Sequence, residues 1–125
     1  MKIKNVENDF VKNGYFIAKI FDDLIINEYR ETFKDICKIQ MKKLGLNSNI
    51  NSIDSIVKTI EKKNSKVLDE CIQMMRNTSI GHKLASNNNL INISKKLLKN
   101  KKLSNIISGP NMFINFPNSV RRKYT

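Results

Sequence analysis

The longest periodic stretch of the chain is DDLIINEYRETFKDICKIQMKKLG, residues 22–45. Within it, one set of positions recurs every three or four residues, the spacing that places side chains on one face of an α-helix. These positions are Ile25, Tyr29, Phe33, Ile36, Cys37, Gln40 and Leu44. Asp22 or Asp23 can cap the helix, because a carboxylate accepts hydrogen bonds from the free N–H groups of the first turn. Gly45 supplies a stop, so the sequence predicts a long amphipathic helix over residues 24–44.

Further helices are predicted on both sides of this segment. Residues 3–12 form a short helix or lead-in before the turn signal Asn13-Gly14. After a polar linker at residues 47–52, helical spacing returns three times, and Ser65 can cap the second of these helices. The apolar faces are Ile53, Ile56, Val57 and Ile60, then Leu68, Cys71, Ile72 and Met75, then Leu90, Ile93, Leu97 and Leu98. Breaks at residues 77–79 and 87–89 leave room for one or two turns at residues 80–86.

Two segments have the composition of β-strands. The run Tyr15–Phe21 is aromatic and β-branched, and Met112–Phe116 alternates apolar and polar residues between two prolines. Two strands alone are only marginally stable in water. The sequence therefore predicts an α+β fold that is mostly helical and lacks the strands that would complete its sheet, as in the first part of a larger fold.

Length and composition limit the class of protein. A chain of 125 residues corresponds to one domain, residues 1–125. It has no run of about 20 apolar residues, so no membrane span is predicted, and the polar residues 1–9 do not resemble a secretory signal. Cys37 and Cys71 are too few for a disulfide scaffold and are expected to be reduced and buried. The cytoplasm is the expected location.

The charge is strongly positive and unevenly distributed. The formal net charge is +12, and residues 63–125 carry 12 basic but only 2 acidic residues. A basic half of this kind can attract phosphate backbones through counterion release. However, 19 of the 23 basic residues are lysines, whereas bidentate recognition of bases and phosphates favours arginine. Nucleic acid is therefore not the expected partner, and a small basic helical nucleic-acid-binding module is kept as the alternative function.

Residue chemistry alone indicates no active site. His82 is the sole histidine, and one histidine cannot build a zinc site or a non-haem iron site. Cys37 and Cys71 lie on predicted apolar helix faces, where thiols are inert. Asp22-Asp23 and Asp69-Glu70 are acidic pairs, but adjacent side chains on a helix point away from each other, so neither pair is suited to acid–base chemistry. No catalytic residue and no metal ligand is predicted.

Three stretches nevertheless resemble the phytanoyl-CoA dioxygenase (PhyH) superfamily of Fe(II)/2-oxoglutarate-dependent oxygenases. Residues 13–24, NGYFIAKIFDDL, are similar to the family's opening strand and capped helix. Residues 83–90, KLASNNNL, are similar to its "L-A-S-(D/N)-x-x-L" helix break. Residues 109–117, GPNMFINFP, are similar to the strand that precedes its iron motif. The order and spacing of the three agree along nearly the whole chain.

The resemblance implies the N-terminal portion of a dioxygenase that hydroxylates a small organic substrate. The implied fold is a helical part followed by the first strands of a double-stranded β-helix (jelly-roll), truncated before the iron site. The implied cofactors are Fe(II) and 2-oxoglutarate, but the His-x-Asp/Glu pair and the distal histidine of the family are missing, so neither is expected to bind this chain alone. Met112 matches a strand position that would line the 2-oxoglutarate pocket, although a plain core role suits it equally. A protein-interaction fragment that uses exposed helix faces is a third possibility.

Overall fold

The computed structural model describes residues 6–99, which form six α-helices. Their bounds are α1 Val6–Asn13, α2 Asp23–Lys43, α3 Ile53–Lys63, α4 Ser65–Arg76, α5 Ser79–Ala85 and α6 Asn88–Leu97. None of the helices in this part of the chain is both long enough and apolar enough to cross a membrane. The observed bounds lie close to those that the sequence predicts.

Both ends of α2 follow from its sequence. The Asp22 carboxylate accepts a hydrogen bond of 2.8 Å from the backbone N–H of Ile25, which satisfies one of the free donors of the first turn. At the other end, Gly45 adopts a φ of +67°, a conformation that costs glycine little. The N–H of Leu46 then bonds to the Met41 carbonyl at 2.9 Å, and the N–H of Gly45 to the Lys42 carbonyl at 3.1 Å. These two bonds make a Schellman motif.

Polar side chains set the starts of the shorter helices. Asn64 both ends α3 and caps α4, where its side chain accepts from the N–H of Lys66 at 3.1 Å. The predicted cap, Ser65, is instead the first helical residue. Thr78 caps α5 by accepting from Gly81 N at 3.1 Å, and Asn87 caps α6. Sharp caps of this kind allow α3 to α6 to follow one another with very short connections.

The core lies where α2 contacts α3, α4 and α5. Most of its buried side chains come from the apolar faces that the helical spacing defined, and two do not: Met41 of α2 and Ile80 of α5. The full set is Phe33, Cys37, Met41, Ile56, Val57, Ile60, Leu68, Cys71, Ile72, Met75 and Ile80. Burial of each of the larger side chains stabilises the folded state by roughly 1.5–3 kcal/mol. Outside this cluster α1 contacts α6, and Val6, Ile91 and Ile93 are also buried.

The predicted α+β class is wrong for the described residues, because residues 6–99 contain no β-strand. The segment Tyr15–Phe21 forms neither helix nor strand, and no strand pairs with it within the described part of the chain. Its side chains contact helices instead: the rings of Phe10 and Phe16 meet edge to face at 6.4 Å. Ile17 points outward and is 93% exposed. A run of β-formers becomes a strand only when a partner strand accepts its backbone hydrogen bonds.

No start of a double-stranded β-helix (jelly-roll) is found among residues 6–99. The second predicted strand, residues 112–116, lies outside the described residues, as does Met112. The correction therefore concerns the N-terminal strand and the fold class, whereas the helices predicted at α2, α3, α4 and α6 are confirmed. On α6 the predicted face is only partly correct, because Ile91 is buried beside Ile93 while Leu98 is exposed.

Candidate functional site

A cleft of about 420 Å³ lies between α2 and the start of α3. The linker that follows α2 turns back along that helix, and Lys38 Nζ holds it by donating a hydrogen bond of 3.0 Å to Asn51 Oδ1. This return places the first turn of α3 beside the first half of α2. The lining residues are Asn27, Arg30, Glu31, Lys34, Asn51, Ser52, Ile53 and Asp54.

The charges in the cleft are of both signs and partly paired. Lys34 Nζ donates to Glu31 Oε2 at 2.7 Å, and the Lys34 side chain is only 17% exposed. This hydrogen bond lowers the pKa of the Glu31 carboxyl, with smaller contributions from the positive charges of Lys34, Lys38 and Arg30. Arg30 and Asp54 are exposed. The cleft is therefore a polar, mixed-charge surface rather than a strongly positive or negative one.

The lining residues can hydrogen-bond a small polar molecule but do not form a nucleophile–base pair. Ser52 supplies a hydroxyl, and its oxygen already accepts from Ser55 N at 3.5 Å as the cap of α3. No histidine or cysteine lines the cleft. Activation of a serine needs a neighbouring base within hydrogen-bond reach, and the contacts of Ser52 do not include one. The cleft therefore offers polar groups to a small molecule but brings no base to Ser52.

The structure gives different roles to the residues that the sequence offered as candidates. His82 is exposed on α5, whereas Cys37 and Cys71 are fully buried, as predicted. Asp22 acts as a helix cap. Residues 6–99 contain no group of three or more His, Cys, Asp or Glu side chains that could hold a metal ion. Met112, the predicted 2-oxoglutarate contact, lies outside the described residues, so its role stays a prediction.

Two features of the site were missed from sequence. The presence of Cys37 and Cys71 in one buried cluster depends on how α2 packs against α4. The return of residues 47–52 along α2 was also missed, because a polar linker carries no periodic signal. Its asparagines were the available clue, since Asn47 Oδ1 accepts from Asn49 N at 2.9 Å in an Asx-type turn.

Basic side chains collect at the ends of helices. Lys42 and Lys43 are in the last turn of α2, and Lys62 and Lys63 are in the last turn of α3. Cations at helix C-termini interact favourably with the helix dipole. Three other lysines form ion pairs, with Lys83 reaching Glu28 at 3.4 Å between α5 and α2. Helix-end stabilisation and surface pairing thus account for much of the described positive charge.

No protein-family model, curated protein or solved structure matches this chain. The resemblance to the phytanoyl-CoA dioxygenase superfamily therefore rests on the three motifs in the sequence.

Proposed function

We propose that this chain supplies the helical N-terminal portion of a PhyH-like Fe(II)/2-oxoglutarate-dependent dioxygenase, a hydroxylase of a small organic substrate. The observation that carries the proposal is the agreement between the helical parts of two of the resembling motifs and the helix boundaries. Asp22, in the opening motif, caps the long helix α2. The "L-A-S-(D/N)-x-x-L" motif, Leu84 to Leu90, spans the junction at which α5 ends and α6 begins. This agreement supports the resemblance in the described part of the chain.

The residues present do not fit an iron site. Iron in this class of oxygenase is held by two histidines and one carboxylate, and 2-oxoglutarate and dioxygen occupy its open positions for hydroxylation of a C–H bond. The sequence contains one histidine, His82, which is exposed on α5. The contribution of residues 6–99 would therefore be structural: a packed helical layer with a polar cleft beside α2.

The proposal is tested first at the level of the gene. The codons that follow codon 125 are expected to encode a His-x-Asp or His-x-Glu pair within about ten positions, because the family's iron ligands follow the strand that residues 109–117 resemble. An open reading frame without such a pair would contradict the proposal. So would a stop codon followed by no related sequence in any frame.

The second test compares two polypeptides. Residues 1–125 alone are expected to release no succinate from 2-oxoglutarate with Fe(II), ascorbate and dioxygen. The same chain extended by the downstream coding sequence is expected to release it. Succinate release by residues 1–125 alone would refute the proposal, because a single imidazole cannot supply the histidine ligands.

Nucleic-acid binding is the alternative raised by the net charge of +12. A lysine-rich surface would bind phosphate backbones with an affinity that falls steeply as salt increases. Gel-shift experiments at low and moderate salt distinguish the two functions. We expect no salt-sensitive shift of duplex or single-stranded DNA or RNA at micromolar protein, and a steep salt dependence would favour the alternative.

A further inference from the structure

A buried amide on α2 is paired with a methionine on α4. Gln40 is the one polar side chain that is buried among residues 6–99, and only 7% of the residue is exposed. Its Nε2 donates a hydrogen bond of 3.6 Å to the Sδ of Met74, across 34 positions of sequence. This bond therefore joins the two helices whose packing forms much of the core.

The acceptor in this bond is a weak one. A thioether sulfur is a poorer hydrogen-bond acceptor than an oxygen, so the amide of Gln40 has exchanged water for an inferior partner. A buried donor without an adequate acceptor carries part of the cost of its lost hydration. A stronger acceptor in the place of the Met74 sulfur would recover that cost, and oxidation converts a thioether into one.

Met74 is also the methionine that solvent reaches among residues 6–99. The residue is 42% exposed, whereas its neighbour Met75 and Met41 of α2 are both 0% exposed. Adjacent positions on a helix face different directions, which is why two consecutive methionines differ so strongly. A peroxide can approach the Met74 side chain from solvent but has to enter the core to reach the other two.

We propose that Met74 is a site of reversible oxidation to methionine sulfoxide by peroxides, and that Gln40 holds the sulfoxide oxygen by donating its amide hydrogen to it. This modification is independent of the proposed function, because it depends only on the contact between α2 and α4 and on thioether chemistry. Oxidation of a methionine usually disrupts the packing around it. Here the added oxygen gains a hydrogen bond from a buried donor, so oxidation is expected to strengthen the contact between the two helices.

The reaction balances with one equivalent of hydrogen peroxide. A lone pair of the Met74 sulfur attacks one peroxide oxygen, so that the S–O bond forms and the O–O bond breaks. The departing hydroxide takes the proton of the transferred hydroxyl and leaves as water. The sulfur is oxidised by two electrons and the peroxide is reduced by two. Because the methionine side chain is unbranched and flexible, the new oxygen can turn toward Gln40 Nε2.

The first test locates the oxygen. The full chain is treated with hydrogen peroxide in its native state, quenched and digested with trypsin. The peptide of residues 67–76 is expected to gain about 16 Da, the mass of one oxygen, and fragment ions should place it on Met74 and not on Met75. The peptide of residues 39–42, which contains Met41, is expected to stay unmodified. Oxidation of Met41 or Met75 as fast as that of Met74 would overturn the proposal.

The second test measures the new hydrogen bond in the oxidised wild-type chain. The NMR resonances of the Gln40 side-chain amide are expected to shift downfield, because a sulfoxide oxygen is a stronger acceptor than sulfur. The melting temperature is expected to rise by roughly 3–5 °C. Methionine sulfoxide reductases for both sulfur epimers should reverse the two changes. Unmoved Gln40 resonances, or a melting temperature that stays the same or falls, would overturn the proposal.

Met74→Leu and Gln40→Leu are the matched variants, because leucine is close in volume to both residues. Met74→Leu keeps the other methionines, so its response to peroxide is subtracted as the effect of oxidation elsewhere. Gln40→Leu keeps the oxidisable sulfur but lacks the donor, and its melting temperature is expected to stay constant or fall on oxidation. A rise equal to that of the wild type in Gln40→Leu would show that Gln40 does not hold the oxygen. The amide resonances of the wild type answer the same question without a substituted core.

Discussion

The side-chain amide of Asn89 donates a hydrogen bond of 3.2 Å to the backbone carbonyl of Ile20, across 69 positions of sequence. The bond joins the first turn of α6 to the non-helical segment Tyr15–Phe21, which follows α1. A second contact, between the rings of Phe10 and Phe16, holds the other end of the same segment. The segment is thus fastened to helices at two points, while Ile17 between them remains exposed.

Replacing Asn89 with alanine should loosen this segment without unfolding the helices. An exposed hydrogen bond contributes about 1 kcal/mol, so local opening should become roughly fivefold more frequent. Lys19 is exposed within the segment and is a cleavage site for trypsin. The expected result is faster cleavage at Lys19 under native conditions, measured by mass spectrometry.

Asn88→Ala is the matched control, because Asn88 occupies the same first turn of α6 and makes none of the hydrogen bonds described for Asn89. Equal cleavage rates for the two variants would show that the Asn89 bond does not hold the segment.

The cap of α2 should carry measurable stability. Asp22→Ala removes the acceptor for Ile25 N and is expected to lower the free energy of unfolding by about 1 kcal/mol. Asp22→Asn keeps an acceptor oxygen and should lose less. Asp23→Ala is the control, because the ion pair of Asp23 with Lys19 is exposed and such pairs contribute little. Urea unfolding followed by circular dichroism measures all three, and equal losses at both positions would contradict the cap.

The ends of α2 could be predicted because their causes are local. Asp22 acts on a backbone N–H three residues away, and Gly45 acts through carbonyls of the preceding turn. The apolar faces follow in the same way from a fixed helical period. Such features require no knowledge of the rest of the fold, and this is why the helices on both sides of the linker were also found.

The errors arose where distant parts of the chain decide the structure. Residues 15–21 favour an extended backbone, but whether they become a strand depends on a partner elsewhere in the chain. Whether Cys37 and Cys71 enter the same buried cluster depends on which faces of α2 and α4 meet. The cleft beside α2 depends on the path of residues 47–52. Sequence periodicity contains none of this information, so neither the cysteine pair nor the cleft could be predicted.

Gly81 should be intolerant of a methyl group even though it lies in a helix. A Cβ at this position would approach the Met75 carbonyl oxygen at 2.7 Å, because α5 begins directly against the end of α4. Alanine is the better helix former by about 1 kcal/mol, so helix propensity alone predicts stabilisation. We expect Gly81→Ala instead to destabilise the protein by about 1–3 kcal/mol.

The control for this clash is Ser79→Ala, two residues earlier on the same helix and exposed. It should change the free energy of unfolding by no more than about 0.5 kcal/mol. A Gly81→Ala variant more stable than the wild type in urea would show that α4 and α5 separate easily at this junction.

The hydrogen bond between Lys34 and Glu31 should be detectable in the pH titration of the Glu31 carboxyl. Because the hydrogen bond from Lys34 lowers the pKa of Glu31 in the folded protein, the pair stabilises the fold above the ordinary pKa of glutamate. That contribution is lost as the pH falls through the lowered value. Lys34→Gln should move the Glu31 pKa upward, measured from the carboxyl carbon shift by NMR. Arg30→Gln removes a positive charge that acts on Glu31 only through space and should move the pKa less. Equal shifts in the two variants would mean that long-range charge, rather than the hydrogen bond of 2.7 Å, sets the pKa.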